Sequence, residues 1–145
     1  MDYRVGEIGR VLVLRVDHGE DILESIKKVA VSENVRMANF VLLGAVESGN
    51  LVVGPKENVR PPNKMWVGYD DAHEIVGVGN LFWENDVPVI HLHAGLGKGA
   101  NAFVGCVRKE NIAFMVTEIF MYELTGFDGV RLWFEEEGYS KIRFL

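Results

Sequence analysis

The side chains best suited to chemistry lie in VPVIHLHAGL, residues 87–96, where a single leucine separates His91 from His93. In an extended chain successive side chains alternate between faces, so both imidazoles project from the same side. Two imidazoles so placed can share a divalent ion, but a zinc centre ordinarily takes three or more protein donors. The chain offers a third in Cys106, its only cysteine. If residues 87–94 and 103–109 form a hairpin closed by GLGKGANA (95–102), pairing Ala94 with Phe103 sets Cys106 opposite His91. A slip of one residue would turn the thiol to the other face. In that register His91, His93 and Cys106 converge on donor–metal distances of about 2.0–2.3 Å, with a fourth position left for water or a small-molecule ligand. Zinc is the first choice, although imidazole also accepts other divalent first-row metals. A plainer reading exists: a strand histidine is commonly just hydrogen-bonded, and a lone buried cysteine behaves as a small hydrophobe. HxH is a short string, and spacing alone leaves both readings open.

The remaining candidates are weaker. His18 follows a strand end and His73 begins one, each without a second donor nearby in sequence. Glu118 interrupts the apolar run MVTEIFMY, where a carboxylate is costly unless it faces water, a cation or a metal's surroundings. A water-facing strand position is the simpler reading, with a general base or support to the metal as the other. No GxGxxG follows a strand, and neither a Walker-type loop nor a GxSxG elbow occurs. GLGKGA (95–100) lacks the Ser or Thr that follows a phosphate-loop lysine and reads as a hairpin turn. The residues name no substrate and no catalytic group.

The elements that must hold these side chains read as follows. RVLVLRV (10–16) is a buried strand; from Glu20, Ile22, Leu23, Ile26, Val29 and Ala30 fall on one helical face. Glu20 and Asp21 suit the positive helix end, and Glu24 is spaced to pair with Lys28. RMANFVLLG returns to strand character, and 44–54 reads as another strand or a hairpin turning near Ser48-Gly49-Asn50. Pro55 to Asp71 contains the clearest loop. Short strands then follow in series, HEIVGVGNLFWEN, VPVIHLHAGL, AFVGCV, IAFMVTEIFMYEL and VRLWF, with tight connections that imply a mainly antiparallel sheet.

At 145 residues the chain suits one domain, 1–145, able to bury roughly two thirds of its unfolded surface. A 48% hydrophobic composition leaves apolar surface to cover, for which a subunit interface is one outlet. Arg10 and Arg15 break the apolar N-terminal stretch, so no signal peptide is expected; no stretch is long and apolar enough to span a bilayer. With one cysteine excluding an intrachain disulfide, the expected location is cytoplasmic. A formal charge of −6 argues against generic attraction to nucleic acid or anionic membranes. Lys27, Lys28, Arg60, Lys64, Arg108 and Lys109 are scattered along the sequence and read as solvated.

RVDHGEDILESIKKVA (15–30), FVLLGAVESGNLVV (40–53), PVIHLHAGLG (88–97) and VGCV (104–107), in this order over most of the chain, resemble the PPC ("plants and prokaryotes conserved") domain family, in its stand-alone prokaryotic form without an AT-hook. The resemblance implies an α+β fold, an antiparallel sheet flanked by helices, that assembles as a homotrimer. In the family the paired histidines are usually followed by a Gly-Gly-His element. Here Val104-Gly105-Cys106 stands in its place, so cysteine replaces the third histidine. Thiolate is an equally competent zinc ligand, so the change suits a retained site and equally permits a lost one. The family's DNA-binding label makes a transcription-related regulatory module the alternative function. That label comes largely from plant members with a separate Arg-Gly-Arg-Pro hook, which this chain lacks.

The charge and the missing hook generate a testable expectation. At roughly 0.15 M salt the protein should bind AT-rich and mixed duplexes without preference and no more tightly than the non-specific range, Kd about 10⁻⁴–10⁻⁶ M. Fluorescence anisotropy measures this, and nanomolar binding to one duplex would contradict it.

Overall fold

The computed structural model describes residues 1–145. Strand β1 (Glu7–Asp17) leads into helix α1 (Ile22–Ser32), then β2 (Met37–Pro55), β3 (Lys64–Tyr69), β4 (His73–Glu84), β5 (Val87–Lys98), β6 (Asn101–Val107), β7 (Ile112–Thr125), β8 (Gly129–Phe134) and β9 (Tyr139–Phe144). The strand order is β1-β7-β2-β6-β5-β4-β8-β9, with β3 also on β2 and an additional β2–β4 pairing. The helix begins where its signals place it. Asp21 caps it by accepting a hydrogen bond from the Glu24 amide at 2.9 Å, and Ile22, Ile26 and Ala30 are buried on one face. Glu24 pairs with Lys27 at 2.7 Å, one residue short of the expected Lys28.

The sheet is mainly antiparallel, as expected, and mixed only through β4 and β8, which run parallel at Trp83 and Val130. Two expectations are corrected. The sheet is flanked by one helix rather than several. Residues 37–55 form one continuous strand with no turn at Ser48-Gly49-Asn50. The stretch from Pro55 to Asp71 contains its loop, with Pro61 and Pro62, and also the unexpected strand β3, while the C-terminal strand β9 completes a hairpin with β8.

β2 stays continuous by exchanging partners along its length instead of turning. Its first half pairs with β7 and β4 and its second with β3 and β6. The exchange falls between Val46 and Leu51, after the β2–β7 register has shifted at Gly44, whose φ of +144° and position against β7 leave no room for a side chain: a Cβ there would sit 2.3 Å from the Val116 carbonyl oxygen. On β7 the register skips between Thr117 and Phe114, with Met115 at a left-handed φ of 59°. Because β4 pairs with β5, β5 with β6 and β6 again with β2, these four strands close into a ring. Phe40, Leu42, Leu51, Leu81, Leu92 and Leu96 fill the interior, which α1 covers with Ile22 and Ile26.

Phe40 is fully buried, and its ring packs where Gly79 offers no side chain of its own. Phe40→Ala should therefore cost about 3–5 kcal/mol. Urea unfolding at fixed protein concentration measures it; a loss below about 1 kcal/mol would contradict the assigned core.

Candidate metal centre

His91 and His93 sit on β5, Cys106 on β6. The β5–β6 hairpin turns at Gly99-Ala100, with Gly99 at a φ of +60°, so its strands run through most of the stretch expected to be loop. The register is accordingly corrected by two residues. Ala94 pairs with Gly105 rather than Phe103, and Cys106 faces His93 rather than His91. An even shift preserves the face, so the thiol stays on the side of the imidazoles. Gly105 lets β6 approach β2 closely: a Cβ there would lie 2.7 Å from the Val52 carbonyl oxygen. Val52 in turn pairs with Cys106, fixing the thiol from the other side.

The three donor atoms lie within 4.8 Å of one another, and the two Nε2 atoms are 3.1 Å apart. Nitrogens held 2.0–2.1 Å from one tetrahedral ion would be about 3.3 Å apart, and nitrogen and sulfur about 3.6 Å. The histidine pair is thus already close to a shared-ion spacing, with at most about an ångström to close at the thiol. The donor set, two imidazoles and a thiolate, suits zinc. His91 is pushed down to about 4, first by partial enclosure of its ring and then by Arg131, His93 and Arg108. It is therefore neutral, with a lone pair to give, at pH 7. Burial pushes the Cys106 thiol up, while Arg108, Lys64 and Arg131 pull it the other way.

The other sequence candidates stay apart. His18 accepts from the Met115 amide at 3.4 Å and packs on Phe114; His73 contacts the Asp71 carbonyl oxygen at 2.7 Å, among Tyr69 and Phe103. Glu118 is exposed and registers with Arg15 on β1 and Leu43 on β2, three strands from the histidines, as the water-facing reading expected. Sequence reasoning missed the cations. Lys64 and Arg108, read as solvated, converge with Arg131 beside His91 around one cavity. Asn80, paired with His91 across β4 and β5, accepts from Arg131 Nη2 at 2.6 Å and so holds that guanidinium beside the imidazole. Fully buried Asn111 shapes the turn after Arg108, donating to the carbonyl oxygens of Arg108 at 2.7 Å and Lys109 at 3.1 Å. Arg131 was the one legible signal: a charge inside the apolar run VRLWF.

A ring of strands with an open His-His-Cys cluster on its outer face defines a sheet-scaffolded candidate metal site. Residues 3–125 match the Plants and Prokaryotes Conserved (PCC) domain model, and the chain belongs to that family, the one written PPC above. Among solved structures, a metal-containing protein from Archaeoglobus fulgidus is similar at 23% identity and TM-score 0.84, covering 100% of this chain and 99% of its own. A plant- and prokaryote-conserved protein from Pyrococcus horikoshii is similar at 23% identity and TM-score 0.85, with coverage of 100% and 99%. A protein from Bacteroides thetaiotaomicron carrying a provisional DNA-binding label shares 16% identity at TM-score 0.79, with coverage of 97% and 99%. At these identities the likeness establishes the fold alone. No curated protein shows significant similarity to the chain.

Cys106 is 6% exposed. In chelator-treated protein it should react with iodoacetamide at neutral pH at least about tenfold more slowly than free cysteine, because the thiolate is the reactive form and burial opposes it. Denaturant should abolish the difference. A native rate equal to that of free cysteine would contradict the placement of the thiol.

Proposed function

We propose that the protein is a homotrimeric PPC-domain protein that holds one divalent metal ion per chain, zinc foremost, on His91, His93 and Cys106. The observation that carries this reading is the convergence of three chemically suited donors within 4.8 Å on two adjacent strands. That one similar fold belongs to a metal-containing protein supports it. β5 presents both imidazoles to one side, β6 brings the thiol to them, and the nearby cations partly offset the burial that disfavours the thiolate needed for ligation. When bound, such an ion would offer an open position at which water or a small molecule is polarised. The DNA-binding alternative has support in the labels of two similar structures, but the formal charge of −6 and the missing hook weigh against it.

Trimer formation is supported by the outer sheet face. Val13, Phe120, Val41, Val78, His93 and Cys106 form one continuous row across β1, β7, β2, β4, β5 and β6. Along it and beside it Val13, Val76, Val78 and Val104 are each more than half exposed, at 67, 65, 58 and 68%. So broad an apolar face marks an interaction surface. No helix is long and apolar enough to cross a membrane.

Elemental analysis should find about one divalent ion per chain in the native protein and much less in His91→Ala and His93→Ala. Equal content in all three, near zero or otherwise, would sink the assignment. Light scattering at micromolar concentration should give three times the 16.3 kDa chain mass, and a monomeric mass would refute the assembly.

A further inference from the structure

The cavity beside His91 has a character that neither the family nor the metal reading supplies. It measures about 400 Å³ and takes Lys64 from β3, His91 from β5, Arg108 from the end of β6, and Arg131, Trp133 and Tyr139 from the C-terminal hairpin. No carboxylate lines it, in a chain with 21 acidic against 15 basic residues. Arg131 is only 4% exposed, yet its hydrogen bonds go to neutral acceptors alone: Asn80 Oδ1 at 2.6 Å and the Ser140 carbonyl oxygen at 3.3 Å. Its Nε has no partner, and neither has the buried Nε of Arg108. None of the molecule's ion pairs includes Lys64, Arg108 or Arg131. Buried cations are ordinarily paired, because desolvating a charge without a counter-charge is costly. Buried Arg131 and half-buried Arg108, each with an unsatisfied buried donor, together with the exposed and equally unpaired Lys64, therefore call for an anion from outside the chain.

We infer that this cavity binds a small organic anion bearing a carboxylate or phosphate group, seated on Arg131, Arg108 and Lys64. A guanidinium presents its donors in a planar fork that matches both groups. Trp133 and Tyr139 wall the apolar body of such a molecule, and the volume lies in the ordinary range for small-molecule sites, about 300–1,000 Å³. Arg131, Trp133 and Tyr139 lie beyond the residues 3–125 that match the family model, so this wall comes from the segment the match leaves uncovered. With His91 on the same cavity, the far end of the ligand points towards the His-His-Cys cluster. Only that orientation rests on the metal reading; the cationic cradle does not.

Isothermal titration calorimetry with inorganic phosphate, succinate and the neutral analogue succinamide tests this on metal-loaded and on chelator-treated protein. At least one anion should bind and succinamide should not, with phosphate and succinate distinguishing which anionic group the cradle prefers. Arg131→Gln and Arg108→Gln should each weaken binding at least tenfold in the chelator-treated protein, whereas Lys28→Gln, an exposed helix position, should change nothing. Should Arg131→Gln fail to fold by circular dichroism, Arg108→Gln and Lys64→Ala decide. Failure of both anions to bind overturns the inference, as does equal affinity in the wild type and the cavity variants. Anion binding by a protein that holds no metal would leave the inference standing and remove the metal reading alone.

Discussion

β2 hydrogen-bonds to β7 and β4 along its first half and to β3 and β6 along its second, and the placement of every site residue depends on that exchange of partners. Past the register shift at Gly44, β2 leaves β4 after Val46 and β7 after Ser48, and its second half meets β6 from Leu51, closing the ring through β5 and β4. Closure then fixes Cys106 twice, against Val52 on one side and His93 on the other. The thiol's position is thus a property of the whole ring and not of one hairpin.

The same ring gathers charges that are far apart in sequence. Lys64 arrives on β3, Arg108 at the end of β6 and Arg131 on β8, which joins the sheet only through its parallel contact with β4. Arg131 and Arg108 reach the imidazole of His91, and all three cations reach the thiol of Cys106. Their field disfavours the imidazolium and favours the thiolate. Both effects favour the protonation states that bind a metal, since ligating imidazole is neutral and ligating sulfur is anionic. Burial of Cys106 works against the second effect, and an ion's own charge would override it.

How much of this was legible in the sequence follows the range of the interactions concerned. The helix from Ile22 was readable because apolar spacing and the Asp21 cap are local. The shared face of His91 and His93 was readable because alternation along a strand is local too. The facing of Cys106 survived a misplaced turn because the error was even, whereas the actual partner, His93, was not recoverable: several residues of 95–102 suit a turn, and only three-dimensional closure selects Gly99-Ala100. The long β2 was misread for a related reason. Ser48-Gly49-Asn50 has turn chemistry, yet Gly49 sits against the Asn111 side chain and the Tyr69 hydroxyl, a close approach that also calls for glycine. The convergence of Lys64, Arg108 and Arg131 is wholly tertiary, and no reading of scattered cations would have found it.

X-ray absorption at the zinc edge of the native protein decides whether two imidazoles and one thiolate of a single chain share an ion. About two nitrogen donors at 2.0–2.1 Å and one sulfur near 2.3 Å are expected, the remaining scatterers being light. Loss of the sulfur shell in Cys106→Ser, with the nitrogens retained, would complete the agreement. A shell of light atoms alone in the native protein would contradict the shared ion.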